Sequence, residues 1–304
     1  MPVLSIIVPC LRRDDPQLLR FLASIKRQTF TDYEVLIETE GNSEEAKCQG
    51  LLKAQGDILG FFCADNDLRD RRFLEVMVRY AQDAQVTGAY TAQYDYVPGD
   101  TALSRYFALL GANDPLCWWL GKSDRNSYLS SKPSKSSLLD ISNRSLSLGD
   151  NGFFVKRALV LQTHPTPETF GSCMCLCEDL RRLGHANYWV VAEQKLWHRT
   201  GEDFWDYFRR RWRYVNDLYF ARLSTRRWHM VQTRRDWWGV LTFALASLCV
   251  LPQVLVAGYG ALRVRDRAWF LHPLVCWLLT WLYGAAWFKD RWMQAWKINL
   301  HAFT

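Results

Sequence analysis

Two rhythms of apolar residues divide this chain. Short strand-forming runs recur early, at residues 4–9 (LSIIVP), 33–38 (YEVLIE) and 58–64 (ILGFFCA), each too short for a helix and bounded by polar or turn-forming residues. Between the first two, residues 16–26 carry Leu18, Leu19, Phe21, Leu22 and Ile25 at helical spacing. Pro16 sits in their first turn, and Asp14 or Asp15 is placed as the N-cap. The spacing predicts further helices over 44–55, ended by Gly56, and over 73–84. Strand character returns at 86–94 through β-branched and aromatic residues. An alternation of strand, helix, strand implies right-handed crossovers and parallel pairing, hence an α/β fold.

Residues 152–155 and 188–191 extend the sheet in the same way. The Ser- and Lys-rich stretch 124–143, which includes Ser130 to Ser137, can bury little and predicts a mobile loop near the site. Cys173, Cys175 and Cys177 alternate with Met174 and Leu176 and read as an extended strand with three thiols on one side. No His or Cys pair at a zinc spacing accompanies them, so they read as small buried residues. Residues 204–222 predict a long, Arg-rich amphipathic helix.

The last third changes character. No Asp, Glu, Lys or Arg occurs over 237–262 or over 268–288, and each stretch is long enough to span a bilayer. Trp and Tyr cluster near the segment ends, as interface anchors do, and Pro252 and Pro273 predict kinks or interruptions. The net charge is +7, with nine Arg between Arg209 and Arg235. A basic run beside an apolar segment points to anionic lipid headgroups and away from nucleic acid. The connector carries Arg263, Arg265 and Arg267, so charge places the amino-terminal domain in the cytoplasm, at the inner or plasma membrane, with a hairpin crossing twice. A half-inserted hairpin is the alternative. Nine Cys, with Met1 to Leu4 leading straight into a strand, agree with a reducing compartment.

Chemistry collects where the strands end. Glu38 and Glu40 close the second strand; Asp65 and Asp67 close the third. Ligands of open α/β sheets bind at the carboxyl ends of strands. Oxygen-rich aspartates there suit a divalent cation, Mg or Mn, neutralising the two phosphates of a nucleotide sugar.

Several motifs resemble the family 2 glycosyltransferases. They are Pro9 after an apolar strand, Glu34-Val35-Leu36-Ile37 before an acidic turn, Ala46 to Gly50, Ala54-Gln55-Gly56-Asp57 and the Asp65 cluster. Residues 104–115, 121–125, 149–157 and 265–273 resemble a membrane-attached branch of that family. The resemblance implies the GT-A fold, a mixed, mainly parallel sheet with helices on both faces, followed by amphipathic and transmembrane helices. The corresponding segments are a glycosyltransferase domain over 1–202, Arg/Trp-rich interface helices over 203–236, a transmembrane hairpin over 237–288 and a tail over 289–304.

It also implies roles. Pro9, Glu38, Glu40, Lys47, Asp65 and His198 would meet the nucleotide sugar, with Asp65 and Asp67 on the metal. Asn113, Asp114, Lys122, Asp124, Arg125, Asp150, Asn151, Arg211 and Trp212 would lie on the acceptor side. Glu178-Asp179 is the acidic pair in the region of the family's catalytic base, so Asp179 is assigned as base with Glu178 as neighbour or alternate. Four departures stand out: Cys63 replaces the first acid of the Asp-x-Asp triplet, and Lys47-Cys48 replaces Arg-Asn. Phe208 replaces the polar residue that leads the Gln/Arg-x-x-Arg-Trp motif. The expected spacing to Gly184 falls on Ser172 to Cys175, not on the acidic pair.

The resulting expectation is a membrane-anchored inverting glycosyltransferase in glycan or cell-envelope biosynthesis. Its donor would be a UDP- or GDP-sugar and its acceptor a lipid-linked substrate, either a polyprenyl phosphate or a lipid-linked saccharide. The rival is a non-catalytic, membrane-bound nucleotide-sugar-binding or scaffolding member of the same fold. A nucleotidyltransferase is disfavoured, because Cys10-Leu11-Arg12-Arg13 after the first strand holds no glycine to cradle a triphosphate.

Overall fold

The computed structural model describes residues 1–130, 135–200 and 203–301, with side chains to Arg291. Its first half runs β1 (Leu4–Pro9), α1 (Pro16–Lys26), β2 (Tyr33–Glu38), α2 (Ser43–Lys53), β3 (Ile58–Phe61), β4 (Asn66–Asp67), α3 (Phe73–Ala81) and β5 (Gly88–Tyr94). Then come α4 (Ala102–Leu110), α5 (Pro115–Trp119), β6 (Ser137–Asp140), β7 (Phe153–Lys156), α6 (Arg157–Leu161), α7 (Cys173–Arg182) and β8 (Asn187–His198). Local signals set the ends. Asp15 accepts a hydrogen bond from the Gln17 N–H to cap α1, and Asn42 with Glu45 forms a capping box on α2.

The strands form one mixed sheet in the order β2-β1-β3-β7-β5-β8-β4, with β6 also on β8. β1 is parallel to β2 and β3, β5 is parallel to β8, and β7 runs antiparallel between β3 and β5. β1, β2, β3, β5 and β8 therefore point one way. Alternation sends Leu4, Ile6 and Val8 to one face, against Phe21, Phe73 and Met77 of α1 and α3. Ile7, Leu59 and Phe61 go to the other, against Leu51 of α2 and Leu176 of α7. Gly56 lets the α2–β3 turn press on β1: its N–H donates to Ser5 Oγ at 2.8 Å, and a Cβ there would lie 2.6 Å from the Ser5 nitrogen.

Three expectations change. Residues 173–177 are helical, not extended. A Cys-Met-Cys-Leu-Cys run is apolar at every position, so period 2 distinguishes nothing, whereas Ser172 caps the helix and Leu176 and Leu180 recur one turn apart. All three thiols are buried. Within the stretch predicted to be mobile, Ser137–Asp140 is an edge strand on β8, with Leu139 packed toward the core; residues 131–134 lie outside the described residues. The Arg-rich helix is shorter than expected: α8 (Phe204–Arg213) passes into a π-helical turn over Tyr214–Phe220.

Beyond it lie α9 (Arg234–Cys249), α10 (Leu251–Val264), a 3₁₀ turn (Arg267–Leu271) and α11 (His272–His301). The first apolar segment is broken: α9 and α10 meet at 88°, with Val250 at φ +62°. Pro252 explains the break, since it has no N–H to donate and its ring excludes the helical carbonyl four residues earlier. One helical stretch, Arg267–Arg291, is long and apolar enough to cross a membrane. These helices are not detached from the sheet domain. Trp269 is fully buried edge-on to Tyr106 of α4, and Val275 and Leu279 join the same cluster as Leu103 and Phe107.

Candidate active site

A cavity of about 270 Å³ opens at the carboxyl edge of β3, walled by the α4–α5 connection, the loop before β7 and α8. Of the residues singled out from sequence, Asp65, Asn113, Asp114, Asp124, Asp150, Asn151, His198 and Arg211 line it. β4 explains the first pair. Asn66 is opposite His198 in the antiparallel β4–β8 register, so the preceding Asp65 lies against the end of β8. The Asn66 amide locks the turn by accepting from the Cys63 N–H at 2.9 Å and donating to Asn151 at 3.2 Å.

Asp65 Oδ1 lies 3.2 Å from His198 Nε2, and Arg210 Nη1 is 3.9 Å from the other oxygen. Burial pushes the Asp65 carboxyl up, but His198 and Arg210 outweigh it and hold the group below its usual value. It is ionised at neutral pH. His198 Nδ1 contacts Thr200 Oγ1 at 3.0 Å, and that hydroxyl donates to Asn113 at 3.1 Å. The opposite wall holds Asp150, whose carboxylate accepts from Lys47 Nζ at 2.9 Å; Lys47 also reaches Glu44 at 3.1 Å. Burial alone would pull the Lys47 ammonium down, yet Asp150 and Glu44 hold it well above its ordinary range. Lys47 is thus a buried partner of Asp150 and not part of the lining.

The remaining lining acids are engaged. Asp124 accepts from Tyr94 at 2.6 Å beside Arg125, and burial raises its carboxyl more than Arg125 and Tyr94 lower it. Asp114 caps α5 through the Leu116 N–H, accepts from Tyr283 and faces Arg211 at 3.8 Å. Arg125 stands behind the wall, donating to Thr91 and to the Asn151 carbonyl, its guanidinium 5.2 Å from both Tyr90 and Tyr94 rings.

Other candidates lie elsewhere. Asp179 accepts from Arg227 Nε at 2.6 and 2.8 Å and lines a separate cavity of about 330 Å³ with His164, Thr169 and Phe170. Glu178 is buried and held by Arg181 and Arg182; burial raises its carboxyl, and the two guanidinium groups bring it below its usual value. Lys122 bonds Asp236 and the Met230 carbonyl, fixing α9 to the sheet domain. Trp212 lies under Lys289. Pro9 and Glu38 pair at the ends of β1 and β2, Glu38 bonded to Lys53 at 2.7 Å, and Glu40 is exposed. None of these seven lines the cavity at the edge of β3.

The metal expectation divides. Asp65 fits a divalent cation: Oδ1 is buried, accepts no well-directed hydrogen bond and faces the cavity. Asp67 does not join it, lying 3.8 Å from Arg27 and outside the lining. Burial raises its carboxyl, and Arg27 with neighbouring arginines lowers it only in part. Glu44, Asp150 and Cys173 also converge within a ligand sphere, but the Lys47 ammonium already occupies it.

Sequence reading missed Arg210, Tyr207 and Tyr214. With Arg211 they follow the spacing i, i+3, i+4, i+7, one face of α8 and its π turn, and all four line the cavity. The same spacing in an Arg-rich run beside apolar segments also fits a lipid-facing surface, so sequence alone does not separate the two.

No known family profile matches the chain, and no curated protein matches it by sequence. Among solved structures it is similar to the mannosyltransferase PcManGT from Pyrobaculum calidifontis, solved with GDP-Man and Mn2+. The TM-score is 0.51 at 14% identity, over 96% of this chain and 87% of that one. It is also similar to residues 1–349 of S. aureus TarS solved with UDP-GlcNAc, with TM-score 0.44 and 11% identity over 90% of each chain. The mixed α/β architecture of this chain is that of a glycosyltransferase fold.

Proposed function

We propose that the chain is a membrane-attached, inverting glycosyltransferase that moves a sugar from a UDP- or GDP-sugar to a lipid-linked acceptor. The observation that carries the reading is Asp65, an ionised carboxylate at the strand edge, facing a cavity that also presents His198, Arg210 and Arg211. Arg210 and Arg211 offer positive charge to a diphosphate, and the Mn2+ and GDP-Man of the similar mannosyltransferase agree in kind. A divalent cation held by Asp65, when bound, would neutralise charge growing on the departing diphosphate.

Asp150 is the carboxylate best placed to act as general base. It lines the cavity that Asp179 does not, and its side chain is 28% exposed while Lys47 holds it in position. In the displacement, an acceptor hydroxyl oxygen bonds to the anomeric carbon as the bond to the diphosphate breaks. The leaving phosphate keeps the electron pair, and the hydroxyl proton passes to Asp150. A carboxylate base in the lining favours a hydroxyl of a lipid-linked saccharide, which must lose a proton, over a polyprenyl phosphate, whose oxygen is already ionised. Exposed Trp237, Trp238, Trp277 and Trp281 on the last helices support attachment to a bilayer.

Calorimetric titration of GDP and UDP, with Mn2+ and again with EDTA, tests the donor site. Affinity should fall at least about tenfold in Asp65→Ala and on chelation, a loss of about 1.4 kcal/mol or more. Unchanged affinity in both would remove the donor from this cavity.

A further inference from the structure

We propose that α9, α10 and α11 seat the protein in one leaflet of an anionic bilayer, entering and leaving on the side of the sheet domain, with nothing in residues 234–291 crossing. The inference rests on the membrane attachment proposed above and replaces the double crossing expected from charge. Its basis is where the apolar segments are tied down.

The α9–α10 pair is bound to the sheet domain at its start and end and linked to it at its bend. At the start, Asp236 accepts from Lys122 at 2.9 Å with both side chains 10% exposed, and Trp119 Nε1 donates to Thr242 at 3.2 Å. At the bend, Ser247 and Gln253 are fully buried and bonded at 3.2 Å. Gln253 reaches His272 at 3.0 Å, and His272 reaches Tyr106 of α4 at 2.7 Å. At the end, Asp266 accepts from Arg105 at 3.0 Å and from Tyr96. A segment that crosses a hydrocarbon layer of about 30 Å must end far from the face it left. This one turns through 88° at its middle, and both of its ends are held by the sheet domain, through Lys122–Asp236 and Arg105–Asp266.

α11 lies along the same domain. Its first residue touches Tyr106, Tyr283 bonds Asp114 in the cavity wall, and Lys289 stands 5.8 Å from Trp212. Between residues 272 and 289 about 26 Å of helix follows α5 and α8. Set upright in a bilayer, α11 would drag Asp114 and Arg211 to hydrocarbon depth, at a cost of about 2.5–3.5 kcal/mol or more for each charge.

The outward faces name the occupant. Trp238, Leu245, Leu251, Leu255 and Trp281 are each more than half exposed. Around them Arg234, Arg235, Arg263, Arg265 and Arg267 are exposed, a rim of cations and indoles on an apolar field, which matches anionic headgroups over acyl chains.

The test labels cysteines in the full chain with a membrane-impermeant maleimide, read peptide by peptide by mass spectrometry. Arg263→Cys and Arg267→Cys report the connector, Lys26→Cys reports the sheet domain, and native Cys249, exposed beside the bend, reports depth. In sealed membrane vesicles, both connector positions should label within about twofold of Lys26→Cys. Cys249 should label at least about tenfold less until detergent is added. Connector labelling only from the face opposite Lys26→Cys would overturn the proposal in favour of a crossing hairpin. Recovery in the soluble fraction with Cys249 freely labelled would overturn membrane attachment itself. Shielding of Cys249 without vesicles, with doubled mass by light scattering, would assign the face to a second copy and overturn both. None of these readings depends on donor binding, so the enzymatic reading stands or falls separately.

Discussion

Asp150 and Asp179 are both carboxylates held by a cation, and their surroundings separate their roles. Lys47 grips Asp150 from behind the cavity wall, leaving the carboxylate facing the cavity; Arg227 takes both oxygens of Asp179 in a different cavity. Asp150→Asn should therefore lower kcat by about 10²–10⁴ while donor affinity is kept. Asp179→Asn should leave kcat within about threefold and lower Tm, because it strips an ion pair from the α7 region. Single-turnover rates with donor titrations separate the two, and a large kcat loss confined to Asp179→Asn would reverse the assignment. Much of this wall was legible in the sequence. Acids at strand ends and in the motif segments pointed to Asp65, Asp124 and Asp150. Spacing alone does not separate Asp67 from Asp65: two residues of β4 pairing leave Asp65 in the cavity lining while Asp67 lies near Arg27. Arg210 was hidden inside an Arg-rich run whose charge suggested lipid.

Helices that carry their own punctuation were readable. α1 spans Pro16–Lys26 as the apolar spacing predicts, with Asp15, one of the two N-cap candidates, as its cap. α7 was not, since its apolar cysteines fit a strand as well as a helix until the Ser172 cap is weighed. The break at Val250 needed only Pro252, but its purpose shows only in three dimensions, where Ser247 and Gln253 meet. The contact that fixes α9 is Lys122 with Asp236. Burial raises the Asp236 carboxyl, while Lys122 and the N–H groups of Gln232 and Thr233 outweigh it and set the folded value below the ordinary one. The linkage sign follows: this contribution is present above the ordinary carboxylate value of about 4 and is lost as pH falls through the lowered folded value. Lys122→Met leaves a buried, unpaired Asp236 and should cost about 3–5 kcal/mol at neutral pH. Thermal unfolding followed down from pH 7 checks this. Wild type should lose the increment in acid, and the variant should show a flatter profile; equal slopes would contradict it.

At the scale of the molecule, the sheet edge and the apolar helices form one device. α11 contributes Tyr283 to the residue that caps α5, so the wall of the cavity is bonded directly to a helix that carries the proposed lipid-facing surface. On the proposed function, a lipid-linked acceptor held at that surface would meet the cavity without diffusing through bulk water, which would raise its effective concentration. The most direct measurement is transfer itself. Membranes containing the full chain are incubated with radiolabelled GDP- and UDP-sugars and Mn2+, and the lipid fraction is extracted. The account predicts label in that fraction from one of these donors with the wild-type chain, and its loss in Asp65→Ala. No lipid-borne label from any donor, or equal label with Asp65→Ala, would contradict it.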